Sequence, residues 1–399
     1  MATSALRQQN GTRAVTGVVW TMVAASLPPF LIGTIAIQIG RSFSFTPAQL
    51  GLSVAAYYIV SAALSPIGGH LVALLGPQNS LRLAAAGSSV GLAAVALASS
   101  AEAVIIALAF LGLPNCLVQP SSNHVLSTID QPRRGLAFGL VQSAIPLATL
   151  TSGLLLAVFG NAASWRPAIW IVVALTLVAQ LVIPAGPRRP ARATRPGEGP
   201  APAQIQAGGS LLMIGLVLGA FLASFAATTL PSFVAVTGEE LALSPTTIAA
   251  AQITGSLACI SVRIVVAWRG GRRDGPGALS LVAWLLALGS VGYLLIAWGV
   301  AWTYVAGVVL AYALGWGWNG LFNLSVTYAR PDRIAAATGM TQGGVFFGGV
   351  CGPLVFAAIA GEGPFGPSWT VIAGAALLAA ATLWLAQRHW TRTEGETTR

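Results

Sequence analysis

The sequence predicts an all-α integral membrane protein, with twelve transmembrane helices in two pseudo-symmetric six-helix bundles. Three observations carry that prediction. Of 399 residues, 55% are apolar and only 8% charged, whereas soluble domains carry about 25% charged residues. Thirty charges, twenty basic and ten acidic, cannot coat a soluble particle of this mass. The apolar residues gather in long runs close to the roughly 20 residues that a helix needs to cross a bilayer core. A proline- and arginine-rich stretch halfway along then divides those runs six and six.

The runs lie at 14–38, 47–69, 81–100, 103–127, 135–160, 165–185, 209–233, 246–268, 277–298, 301–328, 335–360 and 367–387. They are continuously apolar, where barrel strands alternate, so they predict helices. The first is too long for the apolar core of a signal peptide and has no small-residue cleavage site before more apolar sequence, so it is a retained span. The central stretch 186–208 is rich in Pro, Gly and Arg. It cannot continue a helix, and its charge keeps it in water. The domains expected are therefore an N-terminal bundle, 1–185, a cytoplasmic linker, 186–208, and a C-terminal bundle, 209–399.

All twenty basic residues are arginine. Seventeen fall on, or at a run edge beside, one set of alternate connectors and tails, two (Arg41 and Arg166) likewise at the other set, and one, Arg263, well inside the eighth run. By the positive-inside rule both termini face the cytoplasm, in a multi-pass cell-membrane protein. The net charge of +10 is thus a topology signal, and no nucleic-acid partner is expected. A cysteine introduced in 186–208 should be shielded from an impermeant thiol reagent outside intact cells, and one beside Glu239 should react. The opposite pattern of labelling overturns the topology.

Cys116, Cys259 and Cys351 all lie in apolar runs at spacings that fit no metal site, so they are small packing residues. No paired carboxylates, metal triad, nucleophile elbow or phosphate loop occurs, so neither an enzyme nor a cofactor is expected. The expected surroundings are a lipid bilayer and a small-molecule substrate, with the protein acting as a monomer.

The halves echo each other at an offset of 200 residues. Arg133, Ala137, Gly139 and Gln142 recur as Arg333, Ala337, Gly339 and Gln342, and Asn123 recurs as Asn323. Parallel six-helix repeats about an axis along the membrane normal are a transporter architecture.

With these features the chain resembles the major facilitator superfamily over nearly its whole length. The family's signature between spans two and three is represented by Gly69, Leu71, Gly76 and Leu81, but Ala73 and Leu74 stand at its acidic and basic positions. In the second half Arg263 and Arg272 match the family's counterpart pattern, with Gly271 standing where its acid belongs. Gly315 to Asn323 and Ala337 to Gln342 resemble bacterial members near the cyanate-permease-like and organic-anion branches. Gly348, Gly352 and Pro353 resemble a glycine–proline bend that exchangers carry in span five. The resemblance implies alternating access with spans one, four, seven and ten lining the cavity. It also implies inner-gate roles for Gly69, Gly76 and Arg272, while Asn123 and Asn323, nearer the cytoplasm, are candidates for the gate as much as for the cavity.

A charge inside a span is a functional pointer, because burying it there costs at least about 2.5–3.5 kcal/mol. Arg263 lies eight residues from the inner turn, about 12 Å deep at 1.5 Å per residue. Guanidinium binds carboxylate as a two-pronged fork, and monocarboxylate and oxalate carriers of the resembled family bind substrate through an arginine at the matching place. The alternative is that Arg263 snorkels or caps backbone carbonyls. Asn115, Gln119 and Asn123 stand at i, i+4 and i+8 on span four, and Trp316, Asn319 and Asn323 at i, i+3 and i+7 on span ten. Both sets predict polar stripes facing protein or water, serving substrate or only holding the bundle together. Gln142 and Gln342 join the substrate candidates, and Gln252 and Cys259 share a face with Arg263. His124 is an interfacial histidine with a structural or proton-relay role. Pro28, Pro29, Pro231 and Pro353 are hinge candidates, since proline removes a helix hydrogen bond.

The function expected is secondary active or facilitative transport of a small organic anion. The alternatives are a multidrug or metabolite efflux carrier of the same fold, and a non-transporting membrane sensor or scaffold.

Overall fold

The computed structural model describes residues 2–127, 140–183, 207–270, 275–331, 334–361 and 363–397. The chain divides into two compact units, Met1–Gly197 and Glu198–Arg399. Most of the linker, together with Arg133, Ala137, Gly139, Arg272 and Arg333, lies outside the described residues.

In the first unit α1 (Ala2–Thr34) runs into the short α2 (Ala36–Ser42), and α3 (Pro47–Leu75), α4 (Pro77–Leu97), α5 (Ala101–Ser127), α6 (Ala144–Phe159) and α7 (Arg166–Val182) follow. In the second come α8 (Ala207–Glu240), α9 (Pro245–Gly270), α10 (Gly275–Ala297), α11 (Ala301–Leu310), a π-turn (Ala311–Gly315), α12 (Asn319–Ala329), α13 (Ile334–Ala360) and α14 (Gly366–Thr397). Among the described residues, eleven helical segments are long and apolar enough to span a membrane, and a shorter apolar helix, Arg166–Val178, takes the sixth place. One expectation is corrected here. Span ten is not one helix over 301–328 but α11, a π-turn and α12, with an irregular step at 316–318.

Local chemistry sets the helix ends. Thr46 opens α3 with a capping box: Gln49 N donates to Thr46 Oγ1 at 3.3 Å, and Thr46 N donates to Gln49 Oε1 at 2.9 Å, satisfying two otherwise orphaned donors. Ser244 caps α9, its Oγ accepting from Thr247 N at 3.1 Å. Proline follows each cap, where its fixed φ suits the first turn. Arginine closes other ends. Arg166 donates from Nε to Ala96 O at 3.1 Å and from Nη2 to Ala98 O at 2.9 Å, and Arg82 Nη2 donates to Ile183 O at 2.9 Å. These two arginines therefore serve carbonyls at or just past helix ends.

Each unit has its own core, around Val18, Ala84, Leu117 and Ala144 in the first and Leu216, Leu286, Phe322 and Leu383 in the second. Large apolar side chains such as Leu181, Val158 and Leu97 are exposed on the outside, as suits helices with hydrocarbon around them. In the second unit the helix backbones meet directly. A Cβ on Gly344 would stand 2.6 Å from Val217 O, and Cβ atoms on Gly348 and Gly352 would press on Phe221 O and Phe225 O. Three glycines of α13 at four-residue spacing thus meet three carbonyls of α8 at the same spacing. Ser224 Oγ locks the register by donating to Val345 O at 2.7 Å.

Candidate functional site

The site is built in the second unit from a defect that proline makes. Pro231 stands inside α8 and has no N–H, so the carbonyl of Ala227, four residues earlier, loses its helical donor. The indole Nε1 of Trp316 supplies one, donating to Ala227 O. Trp316 itself lies in the step that breaks span ten. Its own carbonyl accepts from Arg263, at 3.2 Å from Nε and 2.7 Å from Nη2. Arg263, on α9, is 8% exposed. One tryptophan therefore ties spans seven, eight and ten through the two ends of its own residue.

The break before Trp316 coincides with close packing against span nine. Cβ atoms on Gly289 and Gly292 would stand 2.5 Å from Gly315 N and Ala311 N, so α10 lies directly against the π-turn. Widened turns of this kind are frequent at functional sites. Tyr312 of the turn packs edge-on against Trp316, with ring centroids 5.5 Å apart.

The expectation of one stripe formed by Trp316, Asn319 and Asn323 is corrected accordingly. A helical wheel does not carry across the step. Trp316 is buried, while Asn319 and Asn323 are half-buried on α12 and bond to each other, Asn323 Nδ2 donating to Asn319 Oδ1 at 2.9 Å.

The span-four stripe is continuous, and its members divide between two kinds of contact. Asn115 Nδ2 donates to Ser61 Oγ of α3 at 3.0 Å, an interhelical bond. Gln119 Nε2 donates to Asn123 Oδ1 at 3.2 Å, the counterpart of the Asn323–Asn319 pair. Of the repeat-related glutamines, Gln142 is buried and Gln342 half-buried. Gln252 is fully buried, and Cys259 is a buried free thiol. His124 is exposed.

Gly76 has φ +81° between α3 and α4, a conformation that favours glycine. The turn is held by neutral groups, Asn79 Nδ2 donating to Leu75 O and Ser80 Oγ to Gly76 O, both at 2.9 Å. Gly69 has open space around it, whereas its neighbour Gly68 lies under the Cys116 carbonyl, 2.5 Å from where a Cβ would be. Pro120, four residues after Cys116, leaves that carbonyl without a helical donor. Sequence reasoning singled out Gly69 and missed Gly68, although the Cys116–Pro120 spacing was there to be seen.

Pro28 and Pro29 lie inside α1. The Ala25 carbonyl, four residues before Pro29, accepts from Tyr57 Oη of α3 at 2.7 Å. Tyr57 was likewise missed, because a tyrosine in an apolar run looks like filler. Pro353 sits inside α13, directly after the packed Gly352.

The comparisons with known proteins agree with this architecture. Residues 12–353 match the Major Facilitator Superfamily, and the chain belongs to that family as a multi-pass membrane transporter. No curated protein matches the chain. Its fold is similar to the crystal structure of a variant of the nucleoside transporter NupG, with TM-score 0.69 and 14% identity over 94% of this chain and 99% of that one.

Proposed function

We propose that the protein carries a small organic anion across the cell membrane by alternating access, with both termini cytoplasmic and Arg263 as the anion's partner. The observation that supports this is a buried guanidinium within span eight, seated on a backbone carbonyl. A carbonyl is a neutral acceptor and leaves the formal charge in place. The ten acids of the sequence fall in connectors, in tails or at the ends of spans. A carboxylate could take the same fork in two parallel bonds, which are stronger than bonds to a neutral oxygen.

A second reading, a nucleoside-like neutral solute, has its own support. The amide pairs Gln119–Asn123 and Asn319–Asn323 are hydrogen-bonding groups of the kind that orient an uncharged polar solute, and the NupG structure is of a nucleoside transporter.

Melting temperatures of the purified protein with formate, oxalate, benzoate or uridine, and uptake of the same solutes into proteoliposomes with and without a pH gradient, test both readings. Stabilisation and uptake of a carboxylate are expected. A response to uridine alone replaces the anion by the nucleoside, and a response to none supports the non-transporting alternative. Proton-coupled efflux of a permanently cationic dye is not expected, because it calls for a carboxylate within the spans. Dye efflux that collapses with the proton gradient would overturn the anion reading.

A further inference from the structure

The first helix of each unit carries a proline-freed carbonyl with a side chain from another helix bonded to it, and the two caps differ in one respect. Tyr57 caps Ala25 O with a hydroxyl at the tip of its side chain. Trp316 caps Ala227 O with its indole while its own backbone carbonyl is held by Arg263. Pro231 in span seven is therefore one residue removed from a buried cation, and Pro29 in span one is joined to its cap alone.

We propose that Trp316 is a positioning residue that transmits occupancy of Arg263 to the span-seven bend. A carboxylate that takes the guanidinium fork draws it from the Trp316 carbonyl. The 316–318 step then relaxes, the indole leaves Ala227 O, and α8 bends at Pro231. The two carbonyls are the switched groups: each has a donor before binding, and water or a shifted backbone amide replaces that donor afterwards. This rests on the anion reading given above, and the N-terminal cap supplies an internal control.

Hydrogen–deuterium exchange on the full-length protein in nanodiscs, with and without oxalate or benzoate, tests it beside the melting temperature. In the wild type the anion should raise exchange over 226–233 and 314–322 by roughly tenfold or more, as the helix amides flanking Pro231 and the 316–318 step open locally, and leave 24–31 unchanged. Trp316→Phe should show raised exchange over 226–233 before any anion is added, with no further rise. Tyr57→Phe should raise exchange over 24–31 only, whether or not anion is present. Pro231→Ala covers the case in which Trp316→Phe does not fold. It returns an N–H to Ala227 O and so makes the indole cap redundant, which should hold or raise the melting temperature. The anion-evoked exchange over 226–233 should disappear, while the anion's stabilisation through Arg263 persists.

Arg263-dependent stabilisation by anion without the exchange response overturns the coupling and leaves the anion reading standing. The coupling is equally overturned if Pro231→Ala keeps the full response. Absence of any Arg263-dependent anion effect removes the anion reading, and the coupling with it.

Discussion

Gly348→Leu is expected to leave little folded protein. Its Cβ alone would press on the Phe221 carbonyl oxygen, and on either side Gly344 and Gly352 already bring α13 against α8. A side chain there has nowhere to go, because the obstacle is helix backbone and cannot rotate aside. Overpacking a core costs about 1–3 kcal/mol where side chains can yield, and against backbone the cost should reach the top of that range or pass it. Even Gly348→Ala should lower the melting temperature measurably. Gly343, one residue before the ladder begins, has open space around its Cβ position, so Gly343→Ala should be neutral. Melting curves of the purified variants in one detergent decide it. Equal curves for Gly343→Ala and Gly348→Ala would show that α8 and α13 are not in backbone contact.

Arg263→Ala should abolish anion-induced stabilisation and also lower the melting temperature in the absence of anion. From the sequence alone, deleting a buried cation should relieve desolvation and leave stability intact. The structure reverses that sign, because the guanidinium fills the Trp316 carbonyl with two donors. Leaving a buried acceptor unsatisfied costs about 1–3 kcal/mol. Arg263→Lys keeps the charge and can donate one bond to the carbonyl. It should restore most of the stability but bind carboxylate more weakly, since an ammonium lacks the planar fork. An Ala variant that keeps full anion-induced stabilisation would remove Arg263 from the binding site, whatever its melting temperature.

The candidate site was legible in part. Arg263 stood out because a charge within a span is rare. The amides of spans four and ten stood out because polar groups need partners where water is absent. Pro231 and Pro29 were visible as hinges, and counting back four residues already names Ala227 and Ala25 as carbonyls in need of a donor. Nothing in the chain order names Trp316 and Tyr57 as the donors, because each comes from a helix distant in sequence. The wheel that joined Trp316 to Asn319 failed for a local reason: a π-turn stands just before Trp316, where spans nine and ten are in close backbone contact.

By itself the sequence determined that this protein is helical, embedded in a membrane, multi-pass and built on a transporter scaffold. Those properties depend on one-dimensional quantities: the length of an apolar run against the thickness of a bilayer, and the positions of proline, glycine and charge along the chain. The tertiary structure alone decided which face of each helix meets protein. Helices apolar on all sides show no contrast between a core face and a lipid face, so periodicity cannot reveal what each one touches. Register between backbones settles it, through Gly348 under Phe221 and Gly289 against Gly315, and that register brings the Trp316 indole to Ala227 and its carbonyl to Arg263.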